Sequence, residues 1–308
     1  MRAKLAIPAV AAALLLMSGC DIEDFDGARY SRDIHFAYPL NAAGHVSIES
    51  FNGSIEVTGW DQNTIDISGT KFGPSQAAAE DLRVDVDHSP TSVSVRVVRP
   101  SERLHNQGAR LVVKVPRTAC LDRIVTSNGN IRTVDGAGPA RFRTSNAAIR
   151  VDNLNGSLDA QTSNNTIEVA GIQGDVTLHT SNGSIHARDF RGSLDAGSSN
   201  NAVVAVVSQP DAGVRIETNN GGVDLTLPAH YRGDARASTS NHGITVRMPP
   251  DSGAHLIART TNSSISSDFD MTMTAGELTR NHVDAQIGGG GAMIDLSTSN
   301  GSIRVVRM

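Results

Sequence analysis

Residues 126–131 read T-S-N-G-N-I, and close variants of this phrase recur along the next part of the chain. The later copies are T-S-N-A-A-I at Thr144, T-S-N-N-T-I at Thr162, T-S-N-G-S-I at Thr180 and S-S-N-N-A-V at Ser198. Each copy begins 18 residues after the one before it. A short fixed period of this kind is typical of stacked repeats rather than of a closed globule.

Apolar and polar residues alternate within each repeat, on both sides of a glycine. Ile131, Ile149 and Ile167 each stand three residues after an asparagine of the phrase, and Gly138 and Gly156 stand ten residues after it. This alternation predicts two short strands per repeat, each with one buried face. Since 18 residues leave no room for a helical crossover, the predicted fold is all-β: a parallel β-solenoid of two-strand rungs, stacked in register roughly 4.8 Å apart.

The asparagines of the phrase are predicted to form a ladder at one corner of the solenoid. Asparagine tolerates the left-handed backbone conformation, and stacked amides can hydrogen-bond from rung to rung. The residue after each asparagine varies, so we expect the asparagine itself to take the left-handed conformation. We favour this structural role and keep ligand binding as the alternative. The ladder residues are Asn128, Asn146, Asn164, Asn182 and Asn200.

The N-terminal residues form a separate segment. Arg2 and Lys4 precede an apolar run that is too short to span a bilayer, and M-S-G-C follows at 17–20. This order resembles the lipobox of bacterial lipoproteins, which implies a signal peptide over residues 1–19 and lipid attachment at Cys20. An ordinary secretory signal is the alternative. Residues 20–43 are predicted to be a lipidated N-terminus and acidic tether, with an entering strand at Ile34–Tyr38.

Charge and cysteine content limit the possible partners. The chain has 27 basic and 32 acidic residues. Removal of Arg2 and Lys4 with the signal leaves 25 basic residues and a net charge of −7, which argues against nucleic acid as a partner. With Cys20 lipidated, Cys120 has no cysteine to pair with, and we expect it to be a small buried apolar residue.

The solenoid domain is predicted to cover residues 44–308. A divergent copy of the phrase, F-N-G-S-I, begins at Phe51. Residues 71–123 break the period and are predicted to be an irregular capping segment with one short helix at Ser75–Leu82. The repeat array follows over residues 124–308, with longer loops around Asn220, Asn241, Asn262 and Asn300 and an insertion at 268–291 whose role the sequence does not decide.

The order of these motifs resembles the DUF4097 family of adhesins. The matching features are N-G-S-I-E-V-T-G at 52–59, a divergent middle, V-K-V-P-R at 113–117 and the serial T-S-N-G-x-I units. The likeness covers about residues 44–308. It implies an envelope or secreted protein with a β-solenoid fold, and it carries no catalytic residues to this chain.

A search for catalytic, cofactor or metal residues finds none with the required pattern. The outward positions carry charges of mixed sign, as on a solvated face. Asp159 and Asp195 are two rungs apart, roughly 10 Å by the stacking distance, which is longer than the ~6.5–9.5 Å between the carboxyl groups of inverting glycosidases. His179 and His186 belong to different strand faces, and the repeated threonines continue the inward alternation, which argues against an ice-binding plane.

The sequence therefore predicts a lipid-anchored, noncatalytic protein of the cell envelope that acts as an adhesin or surface-interaction scaffold. Its expected partners are the membrane, through Cys20, and an envelope protein or glycan. Asp21 favours the inner membrane under the sorting rule of enteric bacteria, but the sequence does not decide between the two membranes. A carbohydrate-active β-helix enzyme and an accessory protein in envelope-stress signalling are the alternatives.

Overall fold

The computed structural model describes residues 30–101, 104–274 and 279–308. The predicted signal peptide, residues 1–19, and the predicted lipid-attachment residue Cys20 lie outside the described residues. Within them the chain forms a 13-stranded sheet, here called sheet A, and a 14-stranded sheet, here called sheet B.

The N-terminal part holds eight strands and one helix. Their bounds are β1 Tyr30–Pro39, β2 His45–Glu49, β3 Ile55–Trp60, β4 Thr64–Gly73, α1 Gln76–Asp81, β5 Val84–Ser89, β6 Ser92–Val97, β7 Gly108–Pro116 and β8 Cys120–Val125.

The repeat array contributes thirteen strands, which alternate between the two sheets. Their bounds are β9 Ile131–Gly136, β10 Ala140–Arg143, β11 Ile149–Leu154, β12 Leu158–Thr162, β13 Ile167–Gln173, β14 Val176–Thr180, β15 Ile185–Arg191, β16 Leu194–Ser198, β17 Val203–Val206, β18 Val214–Thr218, β19 Val223–Thr226, β20 Ala235–Thr239 and β21 Ile244–Met248. The C-terminal strands are β22 Ala254–Thr260, β23 Ile265–Ser267, β24 Met271–Met273, β25 His282–Ile287, β26 Ala292–Thr298 and β27 Ile303–Arg307.

Equivalent residues of neighbouring repeats pair in parallel and in register. Ile149 of β11 lies opposite Ile131 of β9 on one side and Ile167 of β13 on the other. Each rung therefore covers the apolar face of the next, and these isoleucines are at most 1% exposed. The predicted β-solenoid of two-strand rungs is confirmed.

The threonine at the start of each phrase lies inside, as its place in the alternation predicts. Each hydroxyl donates to a backbone carbonyl of the adjoining rung, for example Thr162 Oγ1 to Ala147 O at 2.9 Å. A buried hydroxyl is costly without such a partner, so this row is a structural part of the interior. Its members are Thr126, Thr144, Thr162, Thr180, Ser198, Thr218, Thr239, Thr260 and Thr298.

A bend inside the sheet A strands is a feature that the sequence prediction lacked. Residues at positions 135, 153, 171 and 189, also 18 apart, take positive φ angles of 50° to 69°. They are Asp135, Asn153, Gly171 and Asp189, three residue types that tolerate this conformation. The ladder asparagines do not have positive φ, so the expectation that they hold the left-handed geometry is wrong. After the bend the chain turns inward again, and Leu154, Ile172 and Phe190 are buried.

The N-terminal end of the solenoid is more regular than predicted. Tyr30–Pro39, assigned in part to the tether, is one ten-residue strand that pairs antiparallel with β4, so the predicted tether extends too far. Two strands of the predicted capping segment belong to the stack itself, because β7 pairs in parallel with β3, and β8 with β2. The helix is shorter than expected at Gln76–Asp81, and the Ser75 side chain accepts a hydrogen bond from the Ala78 amide at its start.

Rung order departs from chain order at the C-terminal end. The last two strands, β26 and β27, insert between the β20–β21 rung and the β22–β23 rung. The intervening segment, which lies in the predicted insertion, forms β24 and β25, two antiparallel strands at the end of sheet B.

Candidate interaction surface

A shallow groove runs along the outer face of sheet A, across the strands rather than between them. Two depressions of about 430 and 460 Å³ meet there, because Arg150 and Glu168 line both. We call this feature the sheet A groove. One row of its outward side chains has one member per rung, and this row consists of Glu56, Arg132, Arg150, Glu168, His186 and Val204.

Charged residues line one half of the groove. Glu56, Arg132, Arg150 and Glu168 stand side by side in register, so two guanidinium groups lie next to each other with a carboxylate on either side. Arg150 Nε donates to Glu168 Oε2 at 2.9 Å, and this hydrogen bond raises the pKa of Arg150. Arg110 also lines this half.

The other half of the groove is more apolar. Ala170, Val204 and Val206 line it together with His186 and Arg188. Val206 is 39% exposed although valine usually lies inside. The groove thus combines a charged half with a more apolar half.

The outer face of sheet B also carries ion pairs. Asp159 is held by Arg143 at 3.1 Å and by Arg141 at 3.3 Å, and it also accepts from Gln161. Arg236 pairs with Asp295 in the same way at 2.8 Å. The carboxylate of Asp159, which the enzyme alternative pairs with Asp195, is therefore engaged in ion pairs. Thr177 occupies the equivalent position on the strand between Asp159 and Asp195.

The asparagines form a continuous ladder at an exposed corner. Asn164 Nδ2 donates to Asn146 Oδ1 at 2.7 Å and its own Oδ1 accepts from Asn182 at 2.8 Å. Bonds of 2.6 to 2.8 Å repeat this pattern between all neighbours. Among the described residues the ladder runs through Asn128, Asn146, Asn164, Asn182, Asn200, Asn220, Asn241, Asn300 and Asn262. Each amide mainly binds another amide, which is a structural use of the side chain.

Cys120 is half-buried, so the expectation of full burial is wrong. Burial raises the pKa of its thiol, and the negative charge of Asp122 adds to the effect. His45 lies opposite Cys120 on the neighbouring strand, and its Nδ1 is 2.9 Å from Asp122 Oδ2. Sequence spacing did not reveal this histidine because it is distant in the chain. A raised thiol pKa disfavours the thiolate, which is the reactive form.

The remaining predicted positions are placed as follows. His179 and His186 lie on sheet B and sheet A respectively, as expected. The described residues contain no group of three or more histidine, cysteine, aspartate or glutamate side chains arranged to hold a metal ion. No helix in the described ranges is long and apolar enough to cross a membrane. Cys20, the predicted site of lipid attachment, cannot be placed because it lies outside these ranges.

The fold and these surfaces define the class of the molecule: a two-sheet β-solenoid repeat protein with an exposed groove. No protein-family model matches the sequence, and no curated protein matches it either. Solved structures similar to it include a "putative adhesin" from Bacteroides fragilis, with 13% identity, a TM-score of 0.45 and coverage of 89% of this chain and 97% of that one. A "putative cell adhesion protein" from Clostridium sporogenes has 10% identity and a TM-score of 0.25, with coverage of 90% of this chain and all of that one. These values are too low to transfer a function to this chain.

Proposed function

We propose that this protein is a noncatalytic surface-interaction scaffold of the cell envelope. In this proposal a lipid at Cys20 holds it to a membrane, and the sheet A groove binds an elongated partner, either an envelope protein or a glycan. The proposal rests on the shape of the groove, which follows the stacking direction over seven rungs from Arg110 to Val206. At roughly 4.8 Å per rung, six intervals span about 29 Å.

The groove is suited to this role because its floor is held in place. Its floor consists of paired strands, and their inward side chains are locked in the interior, so the outward row keeps its spacing without a partner. A preformed surface loses little conformational entropy when it binds. In the charged half, the three arginines Arg110, Arg132 and Arg150 outnumber the two glutamates, Glu56 and Glu168. This half therefore favours a partner that carries carboxylates or other anionic groups.

The test blocks the groove with a bulky side chain. Ala170→Trp places an indole on its floor, and Thr177→Trp places the same group on the outer face of sheet B as the matched control. Both positions are half-buried outward residues of array strands. The full chain is assayed for binding to immobilised polygalacturonate, an acidic polymer, and to dextran, a neutral one.

Binding that Ala170→Trp abolishes and Thr177→Trp preserves is the expected result. Equal binding by both variants would place the binding surface elsewhere. Sustained release of reducing ends from either polymer would show that the protein is an enzyme. Failure to bind polymers, together with a pull-down that recovers a sensor kinase, would favour the signalling alternative.

A further inference from the structure

Among the described residues, the N-terminal end of the solenoid carries a long strand, β1, that is paired on one side only. In the described chain the sheet edges are β1, β5, β23 and β24. β23 and β24 have three residues each, and β5 carries the exposed Asp85 and Asp87. Short strands and charged side chains are the usual means of preventing edge pairing. β1 is ten residues long, and its exposed charged side chains, Arg32, Asp33 and His35, include both signs, whereas Asp85 and Asp87 on β5 are both acidic. β1 is therefore the edge best suited to pair with another strand.

The free backbone groups of this edge can be assigned from its pairing with β4. Leu40 N donates to Asn63 O of the neighbouring chain segment at 3.1 Å. Along a strand of an antiparallel pair, the backbone N–H and C=O groups of every second residue point to the same side. The N–H and C=O groups of Asp33, His35 and Ala37 therefore face away from β4. Pro39 follows the same alternation, so its missing N–H costs no ladder bond, as expected of proline in an edge strand.

The inward side chains of β1 are incompletely covered. Ile34, Phe36 and Tyr38 pack against the core but are only partly buried, in contrast to the isoleucines of the array. Helix α1 lies near the start of the strand, where Arg32 pairs with Glu80 at 3.6 Å. At the other end the Tyr38 ring stacks on His88 of β5, with centroids 3.8 Å apart. The middle of β1 thus presents apolar groups to whatever pairs with its edge.

The sequence of β1 is complementary to itself in the antiparallel direction. If two copies pair with Ile34 opposite Ile34, Asp33 of one copy lies opposite His35 of the other, on the outer face, and the reverse pair forms by symmetry. His35 Nε2 is 2.9 Å from Asp66 Oδ2, which leaves Nδ1 for the second carboxylate. Arg32 then faces Phe36, a cation–π pair, and Tyr30 faces Tyr38. The four pairings, Ile34 with Ile34, Asp33 with His35, Arg32 with Phe36 and Tyr30 with Tyr38, are each favourable or neutral.

We propose that the protein forms a two-fold dimer in which β1 of one copy pairs antiparallel with β1 of a second copy, centred on Ile34. The two solenoids then join end to end through sheet A. A sheet edge covered by an identical edge is an isologous contact, which closes at two copies and cannot grow into a filament.

The experiment uses the full chain in a mild detergent. Light scattering with the detergent contribution subtracted gives the protein mass. Ala37→Pro removes an edge-facing N–H that β4 does not use, and Ala37→Ser is the matched control that keeps it. Ile34→Cys tests the two-fold axis, where the two copies of residue 34 face each other without exchanging hydrogen bonds. The Cα atoms of such a pair are about 4.5 Å apart, which is within disulfide range. Val86→Cys, on the β5 edge, is its control, and the parent chain reports cross-linking through its own cysteines.

We expect a protein mass of twice that of one chain for the parent and Ala37→Ser. Ala37→Pro should give a single-chain mass with an unchanged circular dichroism spectrum, which shows that the fold is kept. Ile34→Cys should form a covalent dimer, and Val86→Cys should not. A parent chain that stays monomeric over a wide concentration range would overturn the proposal. This holds for each explanation of such a result: an edge that stays open, an edge covered by the preceding residues of its own chain, or an edge that pairs with another protein. A dimer that Ala37→Pro leaves intact, or that Val86→Cys cross-links equally well, would also overturn it.

Discussion

Thr133 offers a test of the packing argument, because its hydroxyl is buried in the interior and has no hydrogen-bond partner among the described residues. The residue is 1% exposed and lies between Val57 and Val151 of the adjoining rungs. Thr133→Val replaces the hydroxyl with a methyl group of similar size. An unsatisfied buried hydroxyl costs about 1–3 kcal/mol, so we expect the free energy of unfolding to rise by about 1–2 kcal/mol. For a chain of this size that corresponds to roughly 1.5–3 °C in Tm.

The matched control is Thr162→Val, at another inward threonine. The Thr162 hydroxyl is buried too, but it donates to Ala147 O at 2.9 Å. The same substitution should therefore lower the free energy of unfolding there by about 1 kcal/mol. Urea unfolding followed by circular dichroism measures both, with the m-value checked for constancy. If Thr133→Val lowers the midpoint, or if the two variants shift it in the same direction, the assignment of the Thr133 hydroxyl is refuted.

Three further predictions concern the corner and the anchor. Gly183→Ala should destabilise by about 1–3 kcal/mol, because a Cβ there would overlap Asn165 O of the adjoining rung. Gly213→Ala should leave the urea midpoint nearly unchanged, since no described atom lies within 4 Å of a Cβ at that position. Equal effects of the two substitutions would contradict the close approach of the rungs. Asn164→Asp keeps the acceptor of the ladder but loses its donor, so we expect a loss of about 0.5–1.5 kcal/mol, and an unaltered midpoint would show that the ladder bonds contribute no stability. Cys20→Ser should move the protein from the membrane fraction to the soluble fraction, whereas continued need for detergent would argue against lipid attachment at this residue.

The period and the alternation predicted most of the fold because they are repeated in the sequence itself. In a parallel in-register stack, residues 18 apart meet directly, so the inward isoleucines, the inward threonines and the place of each asparagine follow from counting. The bend at Asp135, Asn153 and Gly171 was also visible in the sequence, since these residue types share a tolerance for positive φ. Asparagine at the corner has the same tolerance, so the sequence pattern alone does not decide which of the two positions takes positive φ.

The sequence alone thus determined the rung, whereas the tertiary structure decided which rungs are neighbours. Every rung offers the same apolar interior and the same strand edges, so the local pattern cannot distinguish the observed stack from one in chain order. Only the assembled chain shows that β26–β27 enters beside β20–β21 and that β7 lies beside β3. The edge position of β1 and the extension of the sheet A groove to Arg110 depend on that order, because β1 and β7 join sheet A through pairings that the 18-residue period does not predict.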